Sequence, residues 1–189
     1  MANRTEIVCL CEGTRGGSVD AVFINRVIRD LKPSWIRETS SNFIRIEPQG
    51  GRKMLIAAMP SELKRCLAQG GHTTLMVWAD MDDDMANGEQ LKSEFWKYSK
   101  AAGITQEQFD QVVFIFAKDR LENWIEYLLH GSTNENIEGA RANNNREVRE
   151  AAATLAKRCR QNQPEPALPE SLQWSCRNWK QLVERMKNS

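Results

Sequence analysis

Short runs of consecutive apolar residues alternate along this chain with longer segments in which apolar residues recur every three or four positions. The clearest runs are Ile7–Cys11, Thr73–Ala79 and Val112–Ala117. Continuous hydrophobicity of this kind is typical of strands that are buried on both faces of a sheet. The segments between them have the spacing of amphipathic helices. Strands that alternate with helices predict an α/β domain with a mostly parallel central sheet flanked by helices.

Weaker signals complete this part of the chain. Phe43–Glu47 has the composition of a short strand, which we expect near an edge of the sheet. A helix is predicted between Lys53 and Ala68, and we expect Pro60 to lie in the first turn of a restarted helix, where proline is tolerated. Further helices are predicted from about Glu89 and from Leu121, the second of them stopped by a glycine.

The pattern changes after Gly131. A helix with apolar positions from Val148 to Cys159 is followed by a linker that contains proline and glutamine. A last amphipathic helix presents Leu172 and Trp179 on its apolar face. We therefore predict an α/β domain over residues 1–131 and a C-terminal helical extension over residues 132–189 that packs on it.

Composition narrows the class of protein. The chain has 189 residues, which is one ordinary domain with an appendage, and a formal net charge of +1 from 26 basic and 25 acidic side chains. Near-neutrality argues against a protein that coats nucleic acid by bulk charge, but it allows a local basic groove. No apolar run approaches the ~20 residues that span a bilayer, and none of the five cysteines forms a C-x-x-C pair. We expect no membrane partner and a cytoplasmic location.

Charged residues follow the three apolar runs at the points where the strands are predicted to end. Glu12 follows the first run, Asp80 and Asp82 follow the second, and Lys118 follows the third. The carboxyl ends of parallel strands meet at one edge of a sheet, where ligands bind in open α/β folds. We therefore expect these side chains to converge.

The acidic residues suit a divalent cation. Mg²⁺ prefers hard oxygen ligands and keeps several waters, so that two or three carboxylates suffice. Four aspartates lie within residues 80–84, and they repel one another unless a cation or solvent neutralises them. A solvated acidic turn or a helix cap remains the alternative for Asp80 and Asp82. An ordinary polar loop residue remains the alternative for Glu12.

The order of these motifs resembles the Toprim superfamily. An apolar strand ending in Glu12-Gly13 is followed by a helix, and a second apolar strand ends in Asp80-x-Asp82. After the third strand, the segment 120–126 (RLENWIE) is similar to the Glu-x-Trp segment of compact Toprim-like nucleases, which include the OLD and RloB-like groups of mobile-element and phage-defence loci. The resemblance covers about the first 130 residues.

The resemblance implies a Toprim-like, Rossmann-like fold and a set of roles. Glu12 would be the Toprim glutamate, Asp80 and Asp82 the metal-binding pair, and Glu122 a further acidic ligand or water-positioning group. The cofactor would be Mg²⁺ or Mn²⁺. From the residues alone, Glu122 is equally well explained as a solvent-exposed helix residue. From the residues themselves, Lys118 and Arg120 lie at the same edge and could stabilise charge that develops in the transition state.

The expected function is metal-dependent hydrolysis of phosphodiester bonds in DNA or RNA, as an effector of phage defence. The alternative is a Toprim-like interaction or regulatory subunit, since the chain lacks the ATPase domain that OLD nucleases carry and would need such a partner in trans. A phosphohydrolase of small phosphate esters is a third class. Tyr98 and Tyr127 are the only tyrosines, and both are expected to pack in helices, which disfavours a topoisomerase-like covalent step.

Overall fold

The structure is a computed structural model that describes residues 6–13, 19–31, 44–69, 73–82, 85–137, 139, 144–161 and 168–187. Within these ranges four strands form one all-parallel sheet in the order β2-β1-β3-β4. The strands are β1 (Glu6–Cys11), β2 (Ile44–Pro48), β3 (Thr73–Met81) and β4 (Val113–Lys118). The predicted α/β class with a parallel central sheet is confirmed, and β2 is an edge strand as expected.

Helices cover both faces of the sheet. They are α1 (Val19–Leu31), α2 (Arg52–Ala68), α3 (Gly88–Ala101), α4 (Gln106–Phe109), α5 (Leu121–His130), α6 (Asn145–Gln161) and α7 (Glu170–Lys187). One core cluster joins the sheet to α1, α5 and α6, and the other joins it to α2, α3 and α4. We name these two sides the α1 face and the α2 face. None of the helices in the described ranges is long and apolar enough to cross a membrane.

The continuous apolar runs follow from burial on both sides. In β1, Cys9 and Cys11 belong to the cluster on the α1 face, whereas Val8 and Leu10 belong to the cluster on the α2 face. Neighbouring side chains of a strand point to opposite faces, so a strand covered on both sides is apolar at every position. All four of these side chains are at most 1% exposed.

The last helix closes the outer edge of β4. The Ser175 hydroxyl accepts a hydrogen bond from the backbone N–H of Phe116 and donates one to its carbonyl oxygen, both at 3.1 Å. Asn178 Nδ2 donates to the carbonyl oxygen of Phe114 at 2.7 Å. The Trp174 ring stacks on the Phe116 ring with centroids 5.1 Å apart. Side chains of α7 thus satisfy backbone groups that an edge strand would otherwise expose.

Pro60 does not restart a helix as predicted, because α2 runs unbroken from Arg52 to Ala68 with Pro60 inside it. A proline inside a helix lacks one N–H donor and strains the preceding turn. Met59 and Leu63, on either side of Pro60, are both buried in the cluster on the α2 face. Packing of both halves against the sheet therefore holds the helix together across the proline.

Two other predictions need correction, and one falls partly outside the described ranges. β3 runs to Met81 instead of ending at Ala79, because it stays paired with β4 up to Lys118. Tyr98 was expected to pack but is 58% exposed on α3, whereas Tyr127 is buried. Phe43, at the start of the predicted second strand, lies outside the described residues.

Candidate active site

The sheet has one point at which the chain changes direction. β1 and β3 are neighbours, but the chain leaves β1 for β2 on one side and leaves β3 for β4 on the other. In open parallel sheets the crevice outside the carboxyl ends of two such strands is the usual ligand site. Glu12 directly follows β1, and Asp80 is the second-last residue of β3. The two acids therefore lie at this switch point.

Glu12 contacts the backbone of Asp80. Its Oε1 accepts a hydrogen bond from the Asp80 N–H at 3.2 Å. Pairing between β1 and β3 ends where Cys11 lies beside Trp78. Beyond that level the Glu12 side chain provides the acceptor that another residue of β1 would have provided. This bond fixes Glu12 beside Asp80 and leaves the Asp80 carboxyl group for other contacts.

The Asp80 carboxyl group lies on the α1 face, two residues beyond Trp78 of that cluster. Its Oδ1 is buried and has no hydrogen-bond partner in the described part of the chain. Burial raises the pKa of Asp80 well above its usual value, the negative charges of Asp20, Glu12 and Glu122 raise it further, and Arg120 opposes the rise. A buried carboxylate without a partner is costly, which makes Asp80 a site where a cation or proton is favoured.

Asp20 is a member of this site that the sequence analysis missed. It lies in the first turn of α1, the helix that follows β1. Burial, and then the charge of Glu122, raise the pKa of Asp20 to about 6. The missed signal was positional, because an acidic residue at the start of a helix that follows a parallel strand lies at the same edge as the strand's carboxyl end. We name Glu12, Asp20, Asp80 and Glu122 the acidic site.

A layer of aromatic rings lies beneath the acidic site. Trp78 packs against Phe23 and Trp124 in edge-to-face geometry, with centroids 5.8 and 5.5 Å apart. Each of these rings is two or three residues from an acid of the site on its own element. The three rings are fully buried or nearly so. They form an apolar floor, and this explains why burial is the largest cause of the raised pKa of Asp20 and of Asp80.

Asp82 lies apart from that floor. It forms a salt bridge with Arg52, the first residue of α2, and its side chain is 62% exposed. Burial raises the pKa of Glu12, the charge of Asp82 adds to the rise, and the same arginine opposes it. The structure therefore brings Asp82 close to Glu12 but pairs it with Arg52, whereas Glu122 is close enough to Asp20 and Asp80 to raise the pKa of each.

The structure does not direct Lys118 toward Asp80. Lys118 continues the alternation of Phe114 and Phe116, which belong to the cluster on the α2 face, and its Nζ donates to Asn136 Oδ1 at 3.1 Å. The cation that lowers the pKa of Asp80 is Arg120. Asp119, which lies between Lys118 and Arg120, has a left-handed backbone conformation with φ of 62° and turns the chain at this point. Arg120 is one of the two cations that the sequence analysis placed at this edge.

The side chains of the acidic site suit Mg²⁺ or Mn²⁺ by donor type. All four offer hard carboxylate oxygens, and Asp80 Oδ1 is already buried without a partner among the described residues. In the described ranges, no three His, Cys, Asp or Glu side chains are already grouped closely enough to hold an ion. Asp83 and Asp84, at the start of the next connection, lie outside the described residues.

The chain matches no family model, no curated protein and no solved structure. The chemistry is therefore argued from the site itself. Several carboxylates lie near Arg120 and Arg52 at the switch point of the parallel sheet, which is the position where such folds bind ligands.

The acidic site should make the protein more stable in mild acid when no metal is present. The pKa of Asp20 in the folded chain is about 6, whereas an unfolded aspartate titrates near about 3.9. Between these values the folded state binds more protons, so the free energy of unfolding falls as the pH rises through the window. Glu12 and Asp80, whose pKa values are also raised, act in the same direction.

We therefore expect the free energy of unfolding in chelator-treated buffer to rise as the pH is lowered from 7.5 to about 5. Urea denaturation at a series of pH values measures this change. Asp20→Asn should reduce the slope, and Glu107→Gln, at an exposed position of α4, should leave it unchanged. A stability that falls steadily with acid in the wild type, or an equal slope in Asp20→Asn, would contradict the burial of these carboxyl groups.

Proposed function

We propose that this protein is a metal-dependent nuclease that hydrolyses phosphodiester bonds in DNA or RNA. The observation that carries the proposal is Asp80, whose Oδ1 is buried without a partner in the described part of the chain and is surrounded by the charges of three other acids. Such an arrangement is unfavourable for an empty protein and favourable for one that holds Mg²⁺ or Mn²⁺. Its position at the switch point supports a ligand-binding role.

The residues have distinct roles in this proposal. Asp80, Asp20 and Glu122 would hold the cation, and Glu12 would either join them or take the proton of the attacking water. A divalent cation bound there would polarise the scissile phosphate and lower the pKa of a bound water. The aromatic floor excludes water on the α1 face, which strengthens every charge interaction in the site. Arg120 offsets part of the negative charge around Asp80.

Arg52 connects the acidic site to its rim. It pairs with Asp82 and lowers the pKa of Glu12, so it provides the positive charge on the α2 side of these carboxylates. Lys53 and Met54 follow it and are exposed at the same helix start. A phosphate that approaches the site would meet Arg52 first, and Asp82 would then be released to act as an additional metal ligand. The exposed positive charge of Lys53 beside Arg52 favours an extended polyanion over a small phosphate ester.

Cleavage of end-labelled DNA and RNA by the purified chain tests the proposal. We expect products that depend on Mg²⁺ or Mn²⁺ and disappear with a chelator. Asp82→Asn should lower the rate, and Glu107→Gln, which removes an exposed charge elsewhere, should not. Activity that appears only when an ATPase partner is added would support the regulatory-subunit alternative. Absence of cleavage under both conditions, or cleavage that a chelator leaves unchanged, would refute the nuclease.

Glu122→Gln separates a metal ligand from a solvated helix residue. Glu122 lies in the first turn of α5 and raises the pKa of Asp20 and of Asp80 by its charge. If it holds the cation, we expect the rate to fall about tenfold or more and the Mg²⁺ concentration for half-maximal rate to rise, as for other groups that orient a metal. An exposed acid at a helix start contributes well under ~1 kcal/mol. Unchanged turnover across a Mg²⁺ titration would assign it that lesser role.

A further inference from the structure

Two cysteines on the C-terminal helices lie in direct contact. Cys159 of α6 and Cys176 of α7 have their Sγ atoms 3.8 Å apart, and both residues are partly exposed. The other three cysteines, Cys9, Cys11 and Cys66, are each at most 2% exposed in the cores of the two faces. The chain therefore has one pair of partly exposed cysteines in contact and three buried cysteines.

The hydrogen bond between the two thiols shifts their pKa values in opposite directions. The hydrogen bond between the two thiols, in which either sulfur can donate, lowers the pKa of Cys176, burial opposes this, and the positive charges of Lys180 and Arg158 lower it further. The same bond, together with burial, raises the pKa of Cys159. Cys176 is therefore the member of the pair with more thiolate character, and the thiolate is the reactive form of cysteine.

The three buried cysteines all have raised pKa values. Burial raises the pKa of Cys11 to about 12 and that of Cys66 to about 12. Burial also raises the pKa of Cys9 well above its usual value. These thiols lack both exposure and thiolate character, which are the two properties that select a cysteine for oxidation. They provide internal controls within the same chain.

We propose that Cys159 and Cys176 are a reversible redox pair that hydroperoxides oxidise to a disulfide. The Cys176 thiolate attacks a peroxide oxygen, the O–O bond breaks, and Cys176 becomes a sulfenic acid while hydroxide leaves. Cys159 Sγ then attacks the Cys176 sulfur, the S–S bond forms and the S–O bond breaks. The departing hydroxide takes the Cys159 proton as water. Overall, two thiols and one hydrogen peroxide give one disulfide and two waters, and a dithiol reductant reverses the change.

The geometry requires only local movement. An S–S bond is about 2.05 Å long, so the sulfurs at 3.8 Å must approach each other by less than one atomic diameter. Cys176 lies between Ser175 and Asn178, whose side chains bond to the outer edge of β4. A disulfide would therefore tie α6 to the helix that closes the sheet. This inference does not depend on the nuclease activity.

Peroxide treatment of the full native chain, followed by thiol counting after denaturation, tests the pair. We expect the number of free thiols to fall from five to three, and non-reducing peptide mapping to recover one cross-linked peptide containing Cys159 and Cys176. The cross-link should raise the melting temperature by an amount on the order of 5 °C, because it restricts the conformations of the unfolded chain. Dithiothreitol should restore all five thiols and the original melting temperature.

Matched variants separate this pair from unselective oxidation. Cys66→Ser should still lose two thiols with peroxide, whereas Cys159→Ser should stop at a sulfenic acid on Cys176 that a dimedone probe captures. Wild-type protein that keeps its five thiols under the same treatment would overturn the proposal. So would a cross-link that maps to Cys9, Cys11 or Cys66, or one found only between two chains. Mapping of the wild-type protein decides the question even if a variant fails to fold.

Discussion

Asp80→Asn is expected to abolish divalent-dependent cleavage and, in metal-free buffer, to stabilise the fold. The loss of activity should be about a thousandfold or more. A catalytic cation supplies several kcal/mol of charge stabilisation in the transition state, and each 1.36 kcal/mol corresponds to about a tenfold change in rate. Asp80 has the most perturbed surroundings of the acidic site, since its Oδ1 is buried and without a partner in the described chain.

The gain in stability has a separate physical cause. Near neutral pH the folded chain must either hold a buried negative charge at Asp80 beside Asp20, Glu12 and Glu122 or bind a proton there. The amide of asparagine has nearly the same shape and no charge, so Asn at this position removes that cost. The bond from the backbone N–H at position 80 to Glu12 does not involve the side chain and should persist.

Urea denaturation at pH 7.5 with a chelator should show a higher free energy of unfolding for Asp80→Asn than for the wild type. The difference should shrink as the pH is lowered, because the wild-type carboxyl group becomes protonated. Added Mg²⁺ should stabilise the wild type and have less effect on the variant, since a ligand that binds only the folded state stabilises it by mass action. Glu107→Gln is the matched control for loss of one charge. A variant less stable than the wild type in metal-free buffer would refute the account in which the buried Asp80 carboxyl group costs stability when no cation is bound.

The sheet could be predicted from the sequence because strands that are buried on both faces have apolar side chains at successive positions. The apolar runs at β1, β3 and β4 are continuous, and this property predicted both the strands and their parallel arrangement. The order of the strands in the sheet is not visible in this apolar pattern. Placement of β1 next to β3 creates the switch point, and that neighbour relation was visible only in the structure.

The acidic site could be predicted only in part, for reasons of geometry. Glu12 and Asp80 were identifiable because strand ends are visible in the sequence. Asp20 was missed because helix α1 was interpreted from its apolar stripe, which does not indicate how its first turn lies against the sheet. Lys118 was assigned to the site as a strand-end cation, but the alternation of β4 directs it to the other face. Whether a residue is at an odd or an even position of its strand therefore predicts the face of the sheet on which it lies, which its position at the strand end alone does not.

The C-terminal helices show the same limitation. Their apolar stripes predicted that they pack on the rest of the chain, but not that Ser175 and Asn178 bond to the backbone of β4. Polar residues on the buried side of a helix look like exceptions to an amphipathic pattern. They are explained once the partner is an edge strand with unpaired backbone groups.

Glu12→Gln is expected to lower the rate of cleavage by about a hundredfold to ten-thousandfold, the range for loss of a positioned acid or base, with little change in stability. Glu12 has two functions in the site. Its Oε1 accepts the N–H of Asp80 at 3.2 Å, and its charge belongs to the acidic site. Glutamine keeps an oxygen that accepts the N–H bond but removes the charge. The substitution therefore tests the chemical role of Glu12 while the hydrogen bond from the backbone N–H of Asp80 is retained.

Glu12→Ala removes both functions and so provides the comparison. It should lose activity to at least the same extent and, in addition, lose about 1 kcal/mol of stability, because the partly buried N–H of Asp80 loses its acceptor. Cleavage rates at saturating Mg²⁺, measured together with urea denaturation of both variants, separate the two functions. If Glu12→Gln cleaves at the wild-type rate while Glu12→Ala is unstable, Glu12 is only a brace that positions Asp80. If both are stable and both are inactive, its carboxylate takes part in the chemistry, as a ligand or as a general base whose pKa burial raises.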